Sequence, residues 1–301
     1  MANDLAQLFR KSFVSFEEAL AAGTEQYTQA GFLITDDKPQ VEFMLDQSTG
    51  GFTAYPAVGT AVDQDIESHN LTHSSSPFAK IERLRWVDIK NNPELPMHRA
   101  RSMANEGMAH IWDRWRAGVA ALFATAHPLA GAGVAEVGAG KMYLDTGLVY
   151  SGGTQANLLT QGLSRTALVT VKETLRNWKR VGTGMSLNIG EIPQDLVLIC
   201  DPRNEDLAHQ LLRSGTVDAD LQANFLQGWA KPVITPLSDP NDWFVVSKTI
   251  SPIGMWIREQ PSFKMMEDSS RGGLDVVLSA QLQADFVYDI EGAGIVGSNV
   301  A

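Results

Sequence analysis

Residues 45–79 read LDQSTGGFTAYPAVGTAVDQDIESHNLTHSSSPFA. Large apolar residues are sparse, and from Asp63 to the run Ser74-Ser75-Ser76 the stretch is polar. Such a segment buries too little surface to offset its own ordering entropy. A structureless loop this long is also unusual inside a compact domain. The stretch is therefore expected to be disordered, or a long excursion ordered by a neighbouring molecule.

Upstream, residues 1–45 read as an arm. Ser15 and Glu18 have capping-box spacing, and Phe16, Leu20 and Tyr27 form one short helical stripe. Little there makes a core alone. Downstream, Lys80 to Lys90 mixes β-branched and aromatic residues with charge and predicts a strand wetted on at least one side. Pro93 and Pro96 then mark a helix start. Met103, Met108, Ile111, Trp112, Trp115, Val119, Leu122 and Phe123 recur at three- and four-residue steps, predicting a helix over 95–126 that His127-Pro128 stops. At ~1.5 Å per residue it would be roughly 48 Å long, the length of a spine.

Met142 to Tyr150 is a candidate strand, with a turn at Ser151-Gly152-Gly153. A second helix is expected from Ser164 through Leu168, Val171, Leu175 and Trp178 to Gly182. Strand Asp195 to Cys200 leads into a third helix, with Asp201 as cap, Pro202 first and Gly215 as stop. The last third is β-rich, with candidate strands at 232–235, 243–247, 253–258, 274–280 and 284–290. Helices segregated from an antiparallel sheet define an α+β fold.

The 301 residues are 44% apolar, enough for a real core in one large domain or two intertwined ones. Net charge is −11, so the surface repels phosphate and a general nucleic-acid binder is excluded. The single cysteine, Cys200, ends an apolar run, reads as buried and inert, and excludes an internal disulfide framework. No export signal is visible, and the longest apolar stretch, Ala117 to Ala126, falls short of the ~20 residues of a membrane helix. A reducing, non-membrane compartment is expected.

Chemical motifs are thin. Gly138-Ala139-Gly140-Lys141 is followed by Met142 and lacks the glycine spacing of a phosphate loop; flexible turns are the plainer reading. His69 and His73 stand four apart, but Asn70-Leu71-Thr72 between them argues for a loop and not a metal-binding helix. Asp145-Thr146-Gly147 matches an aspartic-protease tripeptide but has no second copy to pair with. No catalytic, cofactor or metal residue is therefore expected. Trp112, Trp115 and Trp178 fall on apolar helix stripes and read as core.

Particular stretches carry a resemblance: Asp195–Asn204 running into Leu211-Leu212, Gly228–Ile234, Asp242–Val246, Arg258–Pro261, and Phe286–Gly294. With the order arm, polar loop, charged ribbon, spine helix, α/β middle and closing β segment, the chain resembles the tailed-bacteriophage major capsid proteins of the Hong Kong ninety-seven fold. Within them it looks most like the Mu-type major head subunits. The resemblance covers about residues 45–301. It implies an arm (1–45), an extension loop over the next subunit (46–79), a peripheral domain (80–162), an axial domain (163–272) and a return to the peripheral domain (273–301).

It further implies hexamers and pentamers in an icosahedral shell around double-stranded DNA, located in the virion and assembled in a bacterial cytoplasm. Scaffold, portal and decoration partners would be separate proteins, DNA contact would be weak and non-specific, and no membrane would be involved. Phe52, Tyr55, His69, His73, Arg83 and Arg85 are the expected inter-subunit contacts. Some relatives cross-link through a loop lysine; residues 46–79 contain none. Two alternatives stand beside this reading. One is an encapsulin-type cargo shell. The other is a hydrolase or phosphate-binding enzyme using Gly138–Lys141 or Asp145.

Overall fold

The computed structural model describes residues 10–12, 14, 16, 31–35, 38, 40–48, 66–130, 137–150, 153–180, 186–191, 195–214, 224–268 and 275–299. In chain order the first elements are β1 (Phe32–Thr35), β2 (Gln40–Ser48), β3 (Ile66–Ser74), β4 (Phe78–Leu84), α1 (Trp86–Asn91) and α2 (Leu95–Ala121). Then come β5 (Leu148–Tyr150), β6 (Gly153–Gln155), β7 (Leu158–Leu159), α3 (Arg165–Arg176), β8 (Leu196–Cys200) and α4 (Glu205–Arg213). The chain closes with β9 (Ala230–Ile234), β10 (Trp243–Ser247), β11 (Ile253–Asp268), β12 (Asp275–Tyr288) and β13 (Ile295–Ser298). The class is α+β, but the sheets are mixed, not purely antiparallel.

One sheet has the order β7-β13-β10-β8-β9, with β8–β9 and β13–β7 parallel. Its central strands β8 and β10 are buried at every residue. That is why their sequences, LVLIC and WFVVS, are continuous apolar runs without alternation. Leu196, Leu198 and Cys200 face a core with α3 and α4, while Val197 and Ile199 face α2 and β11. Ser164 caps α3 by accepting the Ala167 N–H at 3.2 Å. Asp201 accepts from Arg203 N at 3.0 Å and Leu237 N at 3.1 Å, tying the strand-to-helix turn to the neighbouring loop. Pro202–Asn204 is a 3-10 turn before α4 begins.

The second sheet has the order β1-β11-β12-β4, with β1 parallel to β11 and the rest antiparallel. Residues 253–258, 274–280 and 284–290 are thus not three short strands. They belong to one long hairpin, β11–β12, whose register shifts twice between Ile257 and Ser262. A bulge absorbs the irregularity at Gln260-Pro261, where proline cannot donate to the ladder. β11 and β12 pair with each other and share a sheet with β4, so the two strands on either side of the expected boundary at 272 belong to one sheet; residue 272 itself lies outside the described residues.

Helix α2 spans both regions. Its buried side is Pro96, Ala100, Met103, Ala104, Met108, Ile111, Trp115 and Val119, the 3.6-residue stripe read from sequence. The N-terminal half joins a cluster with Ile89, Phe263, Val276 and Leu278; the rest joins the core against β8, β10 and β11. At Gly118 a Cβ would overlap the Phe286 ring, so β12 crosses the helix against bare backbone. The helix ends at Ala121, not 126, and is ~40 Å long at ~1.5 Å per residue. Residues beyond it leave to pair with 141–143: Tyr143 N donates to Thr125 O at 2.7 Å and His127 N to Lys141 O at 2.9 Å.

Trp86 to Lys90 is helical, correcting the strand expected over 80–90; only 78–84 is β4. Ile89 is the buried residue of α1, and Asp88 in its first turn pairs with Arg85 at 3.2 Å. That one-sided burial with an acidic first turn is helical chemistry. Near the N-terminus, Arg10, Lys11, Ser12, Val14 and Phe16 are helical. Phe16 is buried and stacks on Phe263 with centroids 5.2 Å apart.

Candidate assembly site

Strands β2 and β3 form a two-stranded antiparallel ribbon in register from Gln40↔Ser74 to Ser48↔Ile66, and among the described residues neither pairs with another sheet. The polar excursion therefore has a paired stem, and the arm–loop boundary expected at 45/46 lies inside β2. Alternation explains the stem. Val41 and Phe43 share one ribbon face with His73 and Leu71, by register.

The foot of the ribbon is seated on the body by that face. His73 Nε2 lies 2.8 Å from the Tyr288 carbonyl oxygen. The His73 ring packs edge-on against Tyr288 at 4.7 Å and Phe43 at 5.6 Å. Leu71 packs at the margin of the core shared by the five-stranded sheet and its helices. Gln283 Nε2 donates to Ser75 O at 2.8 Å. Burial holds His73 below its ordinary range, opposed by the Tyr288 carbonyl and the charge of Asp285.

Behind the seat lies a buried polar junction. Tyr288 contacts Tyr143 at 5.0 Å, and Tyr143 stacks near His127 at 5.9 Å. Tyr143 donates its hydroxyl to Asp289 Oδ1 at 2.6 Å, which also accepts Gly292 N at 2.8 Å. Burial pushes Asp289 up to about 7, and burial pulls His127 down to about 4. Gly292 and Gly294 have φ +65° and +80°, the left-handed turn that aims the Gly292 N–H at the carboxylate.

Of the expected contact residues, Phe52 and Tyr55 lie outside the described residues. His69 falls on β3 opposite Leu45. His73 is engaged within its own chain, as above. Arg83 lies on β4 opposite Val277, and Arg85 pairs with Asp88 of α1. The helix arginines are also paired locally: Arg114 with Asp285 at 3.2 Å, Arg116 with Asp113 at 3.3 Å, and Arg99 near Glu82 at 3.9 Å.

The weighed chemical motifs hold loops. Asp145 accepts from Gly147 N at 2.8 Å, Lys141 Nζ at 3.1 Å and Met142 N at 3.3 Å, so its carboxylate and Lys141 close their own turn. Among the described residues, no group of three or more His, Cys, Asp or Glu is placed to hold a metal ion. No helix among them is long and apolar enough to cross a membrane. Cys200 is buried, and burial pushes its thiol up to about 12. Trp115 and Trp178 are core residues and Trp112 packs against the core.

The sequence reading passed over Tyr143, Tyr288 and Asp289. Alternation along β12 does put Tyr288 on the Phe286 face, but nothing local says that the half-buried carboxyl one residue later meets Tyr143. No protein-family model matches the chain, and no curated protein does. Solved structures do match. The capsid of Myoviridae phage XM1 is 9% identical over 91% of each chain, with a TM-score of 0.57. The capsid of a native GTA particle is 11% identical over 92% of this chain and 90% of that one, also at 0.57. A virus-like particle from Pyrococcus furiosus is 7% identical over 97% and 99%, at 0.53. The fold is thus that of tailed-phage capsid subunits, the Hong Kong ninety-seven fold.

Proposed function

We propose that this chain is the major capsid protein of a tailed phage, a shell subunit that closes by self-association around double-stranded DNA, and not an enzyme. The observation that carries this is agreement in fold with shell-forming proteins over nine-tenths or more of both chains. The two-stranded ribbon supports it, since a lone hairpin is marginal in water without further contacts. A container wall with net charge −11 holds its contents loosely.

In this reading residues 46–79 are the extension loop and 1–45 the arm, each reaching a neighbour, and the subunit is of the Mu-type head kind. Phe52, Tyr55 and His69 belong to inter-subunit contacts, with Arg83 and Arg85 at the edge of the receiving body. Hexamers and pentamers assemble in the host cytoplasm with separate scaffold, portal and decoration proteins. Asp145 and Lys141 pair with each other at 3.1 Å and close their own turn, which does not favour the hydrolase alternative.

Electron microscopy of the expressed protein tests the proposal. Hollow polyhedra or hexameric sheets are expected; a monodisperse monomer at all concentrations and salt conditions rejects it.

A further inference from the structure

The helices that cover one face of the five-stranded sheet carry opposite charge at two ends. Helix α3 holds Arg165, Lys172 and Arg176 against one acid, Glu173. Arg165 and Lys172 reach over the rings of Phe225 and Trp229, at 4.8 and 5.9 Å from the ring centroids. Those rings belong to the loop that closes the C-terminal end of α4. There Asn224 Nδ2 donates to Leu211 O at 2.7 Å, and Gly228 N donates to Leu212 O at 2.8 Å. Arg213, exposed in the last turn of α4, adds a fourth cation. Burial and the Arg176 charge one turn away hold Lys172 below its ordinary range. Phe225 stands out of this basic end, 66% exposed.

The other end of α4 is acidic. Glu205 and Asp206 open the helix, and both are exposed. Asn204 Nδ2 donates to Pro240 O at 3.0 Å, which brings the loop of Asp239 alongside. Asp201 and Asp239 are occupied by backbone N–H groups, Asp239 by Asn241 N at 2.8 Å. Arg203 is the cation of that turn, and His209 lies 3.7 Å from Glu205. Glu205 and Asp206 are left to face outward.

The two ends do not answer each other within one molecule. The nine residues of α4 hold them roughly 13 Å apart at ~1.5 Å per residue. That exceeds the ~10 Å over which 0.1 M salt screens exposed charges. Among the described residues, no acid lies in salt-bridge range of Lys172, Arg176 or Arg213, and no cation in range of Asp206.

A ring of identical copies calls for such a pair. A head-to-tail contact joins two different patches, so every copy must carry both complements. Nucleic acid is the rival occupant of a basic face, and it fits less well. Duplex phosphates have no use for an exposed phenylalanine, whereas aromatic and arginine side chains anchor protein interfaces. A net charge of −11 also opposes a polyanion at long range.

We propose that Lys172, Arg176 and Arg213, with Phe225 as the apolar anchor, dock on Glu205 and Asp206 of the next copy, head to tail around a ring. The inference rests on the shell reading above and names the complementary patches within it. Zero-length carbodiimide coupling tests it on the parent protein. Shells assembled from mixed ordinary and heavy-nitrogen subunits are treated, digested and mapped by mass spectrometry. Links between Lys172 and Glu205 or Asp206 are expected in hybrid-isotope pairs. Lys172 linked only to other carboxylates, only within one chain, or not at all overturns the assignment and leaves the shell reading standing. Absence of shells from the parent protein overturns the shell reading instead.

Charge reversal gives a second arm. Lys172→Glu with Arg176→Glu lowers shell yield at least tenfold, and so does Glu205→Lys with Asp206→Lys, because like charges then meet across the contact. All four substitutions in one chain restore most of the yield. No recovery, from reversed pairs that melt like the parent, overturns the proposal. So does a basic reversal that closes shells normally but retains less DNA, with the acidic reversal silent; the occupant is then nucleic acid. The coupling experiment changes no residue and decides the matter where a reversed chain does not fold.

Discussion

The five-stranded sheet and the β2–β3 ribbon show two ways for one chain to hold strands together. In the sheet, β8 and β10 are sealed on both faces by side chains of their own subunit. In the ribbon, positions 70–74 alternate between exposed and half-buried, and none is buried. Its seat is a few residues at its foot: Phe43, Leu71, His73 and Ser75. One region is sealed within the molecule; the other, in the reading proposed above, takes its remaining stabilisation from a neighbour.

The largest expected effect separates the two outright. Replacing residues 49–65 with Asn-Gly should leave the circular-dichroism spectrum and the melting temperature of the subunit nearly unchanged while abolishing shells in the electron microscope. A large fall in the melting temperature would mean that the ribbon belongs to the subunit's own core.

Next in size is one substitution made in both regions. Leu198→Ala, at a position with no exposure, should cost about 2–5 kcal/mol in urea denaturation. Leu71→Ala, half-buried at the sheet's margin, should cost less than about 1.5 kcal/mol. Equal costs would erase the contrast.

Acid sharpens it at the junction. The folded state raises Asp289 from 3.8 to about 7, so native protein binds that proton more tightly than unfolded chain, and stability from this group grows as pH falls from 7 towards 4. His127 runs the other way, lowered from 6.5 to about 4, so its burial costs stability over the same fall. The two oppose each other in the parent. Asp289→Asn leaves His127 alone, and the urea midpoint of that variant should drop more steeply between pH 7 and pH 4 than the parent's. Parallel profiles would remove Asp289 from the account.

The smallest effect is local. His73→Ala loses one hydrogen bond, about 0.5–1.5 kcal/mol, and should speed hydrogen exchange of β2 and β3 amides while those of β8 and β10 keep their protection. Uniform acceleration would show that the ribbon is coupled to the whole fold.

Legibility followed the same division. Apolar runs and caps gave β8, β10 and the start of α3 nearly to the residue, because local pattern and burial agree there, and put the start of α4 three residues early, where a 3-10 turn stands. The helix stripe of α2 was legible, but its end was not. Thr125 to His127 leave the helix for a pairing with 141–143, which no nearby residue announces. The ribbon stem was missed because its strands alternate weakly and meet across a gap of seventeen residues. Of the candidate site, His73 was singled out as an inter-subunit contact, whereas the carbonyl it meets belongs to its own chain, 215 residues away. Asp289 and Tyr143 were invisible for the same reason, since only the fold brings them together.

Gly118 has a mechanical corollary. With the Phe286 ring set against bare helix backbone, α2 and β12 interlock like a tenon in its mortise and cannot slide past one another. Whatever curvature a closed lattice of such molecules requires, the central beam will not bend at that joint.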